Sequence, residues 1–517
     1  MLSKINTSVC SGIEGKSISV ETDIANGLPC MNIVGLASTT VMEARERIKS
    51  AIINSGYEYP RGRITVNLAP AGLHKNGSCL DLPIAIGVLA ANLFVNASAA
   101  ERYGIIGELS LDGCVLGVDG VLPMIMNFAK QGPGTVIIPA ANYREASMIR
   151  DLKIIPVDSL NSCVSIINGQ KPDIDEILKN TTRRPGVSVD RVERNLDFSD
   201  IRGQENAKRA IVIAAAGRHG LLMVGSPGCG KTMLAKRVPT IMPAMTRKEL
   251  LETAVVNSVV GINNRDGKIL SERPFRSPHS TIGRAGLLGG GRYPMPGEIT
   301  LAHNGVLFLD EVCEFDRENI ESLRTPVEEK EITHFRNGSA YTFPCNFQLI
   351  MAANPCKCGY YGDSERMCTC SQNQLEHYRR KLSGPMMDRI DIRINMERVS
   401  YSQISDEDGG GMTSSEMKAA VIKAVNYAIE NGKRFPNSDM TDAEISKYCS
   451  LGRKEAMLMK QAYKSMGLTP RSYMKILKVA RTIADLDESE EIRYEHLAEA
   501  LSYRVYDYAT GDTRVRG

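Results

Sequence analysis

The run Leu221-Leu222-Met223-Val224-Gly225-Ser226-Pro227-Gly228-Cys229-Gly230-Lys231-Thr232 decides the fold of this 517-residue chain. Its first four residues are apolar and read as a buried strand. The next eight fit G-x-x-x-x-G-K-[ST] without deviation, and Met233-Leu234-Ala235-Lys236 continues as a helix. Strand, glycine-rich turn and helix start, in that order, make a phosphate cradle. Gly225, Gly228 and Gly230 let backbone N–H groups curl around a phosphate chain, with Ser226, Pro227 and Cys229 completing the turn. The helix N-terminus adds a favourable dipole. Lys231 is set to reach the β- and γ-phosphates and Thr232 to hold Mg²⁺. The expected ligands are ATP and Mg²⁺, in a P-loop α/β domain with a parallel sheet.

Two further strands belong with this one. Val306-Leu307-Phe308-Leu309 ends in Asp310 and Glu311. A carboxylate at the end of a buried strand near the P-loop threonine can hold the Mg²⁺ shell, the role expected of Asp310. Glu311 is placed to polarise an attacking water as general base. Phe347 to Ala353 is the third strand and ends in Asn354, an amide that can orient the water or sense the γ-phosphate. Asn is also a common strand terminator, and that reading stays open.

Farther out, Glu331 to Phe343 reads as a β-hairpin around Asn337-Gly338, with Arg336 at the tip and His334 and Lys330 nearby. These cations suit a phosphate backbone, or simply a solvated hairpin. Gly283 to Pro296 carries Arg284, Arg292 and a glycine triplet, and reads as a flexible loop for a charged polymer or a subunit contact. Cys356, Cys358, Cys368 and Cys370 form C-x-C and C-x-C pairs on one short loop, 356–370, suiting tetrahedral Zn²⁺ or free thiols.

Composition bounds the rest. The 63 Lys and Arg against 60 acids leave a net charge of +3, so any basic surface must be local. No uninterrupted apolar stretch reaches about 18 residues, so no membrane span is expected, and the N-terminus lacks a signal pattern. The 13 cysteines are mostly scattered, which suits a reducing cytoplasm. Residues 1–170 alternate β-rich and helical runs, and 171–195 are polar and charged, suiting a linker. Residues 196–400 hold the P-loop core. A Gly- and Asp-rich loop, Ser405 to Ser415, leads into 412–510, whose apolar spacing is helical throughout.

The order P-loop, Asp-Glu strand, Asn354, then Ser383-Gly384-Pro385-Met386-Met387-Asp388-Arg389-Ile390-Asp391 resembles the AAA+ ATPases. More narrowly the chain resembles the magnesium-chelatase branch and, within it, the ComM (YifB) family. Phe275-Arg276-Ser277-Pro278-His279, Gly289-Gly290-Gly291, Pro296-Gly297-Glu298-Ile299 and Ala302-His303-Asn304-Gly305 are the most specific segments, although Ser280 and Lys357 depart from the family's pattern. The resemblance implies an N-terminal Lon-protease-like α+β domain, a central AAA+ domain and a C-terminal helical lid. It implies that Asn354 is sensor 1, Arg389 an arginine finger acting on a neighbouring subunit, and Arg471 sensor 2, within a homo-hexamer. From the residues alone Arg389 can equally pair with Asp388 or Asp391. Asp200-Ile201-Arg202-Gly203-Gln204 looks like the adenine-side segment, with Ile201 against the base. Cys79 stands where Lon proteases carry the serine nucleophile and Leu122 where they carry the lysine, which implies a non-proteolytic fold. The implied function is an ATP-driven motor on DNA, helicase-like, in branch migration; the alternative is a chelatase- or MoxR-like remodeller of a protein partner.

Overall fold

The computed structural model describes residues 2–36, 38–73, 75, 77–182, 196–263, 272–336, 338–363, 365–382, 384–399, 411–433, 435–504, 506–507 and 512–513. Part of the expected linker (183–195), residues 405–410 of the Gly-rich loop, Asn337 of the hairpin turn and Ser383 lie outside the described residues.

The P-loop strand Leu221–Gly225 sits inside a five-stranded sheet in the order Phe275–Arg276, Val306–Leu309, Gln348–Ala353, Leu221–Gly225, Ile392–Met396. Every neighbouring pair is parallel. The three strands foreseen here are buried along their whole length, as continuous apolar runs covered on both faces demand. The edge strand Ile392–Met396 was not foreseen. Its alternation of apolar residues with Arg393 and Asn395 is the signal that marks it.

The first 157 residues build a seven-stranded mixed sheet, in the order Cys30–Val34, Arg63–Ala69, Glu14–Ala25, Ser3–Ser11, Tyr103–Ile105, Thr135–Pro139, Lys153–Val157. Helices Asp81–Ala91 and Val121–Gln131 pack on it, and Thr39–Asn54 packs on Asp81–Ala91. All residues of Asp81–Ala91 are buried, so the longest apolar run of the chain is a core helix. No helix among the described residues is long and apolar enough to cross a membrane.

The C-terminal part is helical: Ser414–Glu430, Asp442–Tyr448, Arg453–Ser465, Pro470–Leu486 and Tyr494–Ser502. Thr413, Thr441 and Thr469 cap three of these with their side chains, each worth about 1 kcal/mol. Val421, Ile476 and Leu497 share one apolar core with Ile213, Leu234 and Phe308 of the P-loop domain. The N-terminal sheet domain is seated on helix Arg247–Val259. Leu122 packs against Ala254 and Val255, and the Gly120 amide donates to the Ser258 carbonyl at 2.8 Å.

Candidate nucleotide-binding site

The P-loop enters its turn at a close backbone crossing. A Cβ on Gly225 would stand 2.6 Å from the Met396 carbonyl oxygen, so no side chain fits there. Gly228 and Gly230 hold φ of 83° and 94°, left-handed values that aim the turn's amides inward, and helix Lys231–Ile241 begins at once.

Lys231 is buried and folded back. Its Nζ donates to the carbonyls of Gly225 at 2.5 Å and Ser226 at 3.1 Å, and to Asn354 Oδ1 at 3.1 Å. An ammonium has three donors, and each of these acceptors is one that a phosphate oxygen can replace. Thr232 Oγ1 donates to Asp310 Oδ2 at 2.6 Å, and Asp310 Oδ1 accepts the Glu311 amide at 3.0 Å. A hydroxyl and a carboxylate side by side are the hard oxygen ligands Mg²⁺ prefers, so these residues fit that ion. Glu311 is exposed and takes φ 49°, a left-handed conformation costing about 1–2 kcal/mol in a non-glycine residue. Asn354 therefore reaches the P-loop from the strand beside it, and Asp310 from the strand one further out.

The segment Asp200 to Gln204, expected on the adenine side, is tied to this turn. Ile201 is buried and ends the 3₁₀ turn Phe198–Asp200. Gln204 Nε2 donates to the Cys229 carbonyl at 3.2 Å and the Glu397 carbonyl at 2.7 Å, a bridge that the sequence reading missed. Arg237 of the P-loop helix donates to the Asp197 carbonyl and to Asp200 Oδ2, both at 2.6 Å.

Arg389 and Arg471 belong to a different locus. Both guanidiniums pair with Glu328, Arg389 Nη2 at 2.8 Å. The pairing with Asp388 or Asp391 considered above is not the one formed. Asp391 is instead held by Lys475 Nζ at 2.5 Å and His219 Nδ1 at 3.2 Å, and Lys475 also donates to the Arg389 carbonyl at 2.6 Å. Burial alone would raise the Asp391 carboxyl, but Lys475 and His219 hold it well below the usual range. Burial pulls Lys475 down to about 8 against the opposing pull of Asp391. These groups border a cavity of about 680 Å³ that Arg218, Glu328, Lys330, Arg389, Arg471 and Lys475 help to line. Glu328 carried no sequence signal.

The four cysteines converge. Cys356 Sγ lies 3.3 Å from Cys358 Sγ and 3.6 Å from Cys368 Sγ, and all four sulfurs fall within 4.8 Å of one another. A tetrahedral Zn²⁺ with Zn–S bonds of about 2.3 Å separates its sulfurs by about 3.8 Å, so the set fits that ion. Burial pushes the Cys356 thiol up to about 12, whereas backbone N–H groups of Tyr360 and Thr369 bring Cys358 down to about 6 despite its own desolvation.

The hairpin forms as Glu331–Arg336 against Ser339–Pro344. Phe335 at its end is 74% exposed, and Arg336 is exposed beside it. Lys330 is not available at the tip: it pairs with Asp439 of the C-terminal helices. The Gly283 to Pro296 segment is more ordered than a flexible loop. It forms helix Arg284–Leu288 and a short ladder, Gly289–Gly290 with Met295–Pro296. His334 Nε2 lies 3.2 Å from the Leu288 carbonyl, so hairpin and loop make one surface on which Arg284, Arg292 and Arg336 are exposed.

In the N-terminal domain, burial pushes the Cys79 thiol up to about 12, far from a nucleophilic thiolate. Leu122 is wholly buried against the P-loop domain.

Comparison with known proteins agrees along the chain. The model described as magnesium chelatase, subunit ChlI, matches residues 197–404; its N-terminal counterpart matches 20–142 and its C-terminal counterpart 411–504. The competence protein ComM of Haemophilus influenzae is 41% identical over 497 residues, 96% of each chain. YifB of Escherichia coli is 40% identical over 508 residues, 98% of this chain and 97% of its own. Lon protease 2 of Bacillus subtilis is 27% identical over 176 residues, 33% of this chain and 32% of its own.

Proposed function

The chain belongs to the ComM and YifB family of magnesium-chelatase-like AAA+ proteins, and from that premise we propose that it is an ATP-hydrolysing ring motor that acts on DNA. Lys231 and the P-loop amides bind the phosphates, Thr232 and Asp310 hold Mg²⁺, and Ile201 lies on the adenine side. Glu311 polarises the water and Asn354 orients it. Bound Mg²⁺ supplies neutralisation of phosphate charge. Arg389 completes the site of the next subunit in a hexamer, where a planar cation stabilises charge on the leaving phosphoryl group, and Arg471 serves as sensor 2. Zn²⁺ on the four cysteines is structural, because a closed Cys₄ set leaves no open position. The work is done in the cytoplasm.

One observation carries the ATP half: Lys231 and Thr232 are already bonded to Asn354 and Asp310, which arrive from two separate strands. The DNA half rests on the exposed Arg284, Arg292 and Arg336 of the joined hairpin and loop and on the competence relative. It extends to helicase-like branch migration in recombination or transformation. The second reading, remodelling of a protein partner, draws on Phe335, an exposed apolar ring on the hairpin that offers a polypeptide contact.

Steady-state ATP hydrolysis with and without branched and single-stranded DNA decides between them. Stimulation by DNA, lost in Arg336→Ala, is expected. Absence of DNA binding and of stimulation at low salt refutes the DNA motor, and hydrolysis that survives Lys231→Ala refutes the site.

A further inference from the structure

The four-cysteine loop leans on the P-loop. Cys356 follows Asn354 by two residues, so the loop starts at the edge of the nucleotide site. Gly359, with φ 87°, passes so close that a Cβ there would stand 2.7 Å from the Pro227 ring. The Asp363 carboxylate faces the Ser226 side chain, which together with the Glu365 and Arg366 amides holds it below the usual carboxylate range. Arg398 Nε lies 3.6 Å from the same carboxylate. The other side of the loop is pinned by Arg379, whose guanidinium lies 4.4 Å over the Tyr361 ring. Ser226 and Pro227 are thus touched by two residues that lie between the cysteine pairs.

We infer that a divalent metal held by Cys356, Cys358, Cys368 and Cys370 braces the outer wall of the P-loop, so that nucleotide affinity depends on metal occupancy. The inference rests on the P-loop being the nucleotide site and goes beyond it. A short loop closed by four metal–thiolate bonds has few conformations, whereas four unliganded thiols leave it free to sample many. Only the closed form keeps Gly359 and Asp363 on Pro227 and Ser226 while the turn's amides are aimed at phosphate. The brace acts through position, without touching the phosphates.

The test uses the full chain, purified under reducing conditions and assayed for zinc. A zinc-selective chelator removes the metal, Mg²⁺ is restored, and binding of a fluorescent non-hydrolysable ATP analogue is titrated. The metal-free chain is expected to bind about tenfold more weakly or worse, as loss of a charge-assisted contact implies, and added Zn²⁺ is expected to restore it. Cys368→Ser is expected to match the stripped chain. Asp363→Ala, which keeps all four thiols, is expected to keep zinc and still lose affinity. Equal affinity with and without metal, within twofold, overturns the inference. Full affinity in zinc-loaded Asp363→Ala overturns the Asp363–Ser226 link. A zinc-loaded wild-type chain that binds no nucleotide brings down the P-loop reading, a different failure.

Discussion

Mixing two dead variants tests whether each site is shared between subunits. Lys231→Ala removes the ammonium that bonds Asn354 and the P-loop carbonyls. Arg389→Ala removes a guanidinium that, within its own chain, sits on Glu328, apart from the Lys231 cluster. Each variant alone should be nearly inactive, since loss of an arginine finger costs about 10³–10⁵ in kcat. In a mixed ring, an active site needs an intact P-loop from an Arg389→Ala chain and an intact arginine from a Lys231→Ala neighbour. At equal amounts and random order, about one quarter of the interfaces satisfy both conditions in a head-to-tail ring. The rate should therefore recover to about one quarter of wild type, peak at a one-to-one mixture, and fall symmetrically on either side. The assay is steady-state phosphate release against mixing ratio at fixed total chain. A flat profile at the level of the single variants refutes the shared site, because an arginine that serves its own P-loop cannot be supplied by a neighbour.

Four further outcomes are expected. Lys475→Met leaves the buried Asp391 without its principal cation and should lower stability by roughly 2–4 kcal/mol in urea unfolding, with Lys475→Arg losing less. The folded Asp391 carboxyl titrates below its unfolded value, so its contribution is complete above about pH 5 and is lost as pH falls below the ordinary carboxylate range. The urea midpoint of wild type should thus drop between pH 5 and pH 3.5 by more than that of Asp391→Asn. Iodoacetamide at pH 7.5 should label exposed Cys30 and spare Cys79, as read by peptide mass spectrometry, since burial keeps Cys79 a thiol. Alanine at Arg284, Arg292 and Arg336 together should reduce the slope of log K against log salt for single-stranded DNA by about 2, and an unchanged slope would remove them from the DNA surface.

The P-loop domain was legible because its signals are local. Each of the three strands is an apolar run that ends in the residue the chemistry needs, and Val306–Leu309 takes the expected bounds. The hairpin was legible for the same reason, from turn chemistry and β-formers. What escaped were partners far apart in sequence. Glu328 meets Arg389 across 61 positions, and Gln204 meets Glu397 across 193. An acid on the short helix Arg324–Glu329 carries no mark of the guanidiniums it will meet. Lys330 illustrates the reverse error. It reads as a free cation beside a hairpin tip, but a carboxylate 109 positions away takes it. The contact of Leu122 with Ala254 and Val255 is likewise a property of packing between domains, which periodicity cannot report.

The adjoining strands Leu221–Gly225 and Ile392–Met396 run parallel, pairing Leu221 with Ile392 and Gly225 with Met396. The P-loop leaves the far end of the first strand. Arg389 precedes the near end of the second by three residues. If Arg389 serves the next subunit as proposed, the acceptor and donor halves of two successive sites are mounted at opposite ends of one hydrogen-bonded ruler, about 13 Å long over four strand steps. A ruler of this kind neither stretches nor stores slack. In the proposed ring, a shift of one nucleotide would then reach the next as displacement of a whole rigid subunit, and the compliance would reside in what joins the rulers.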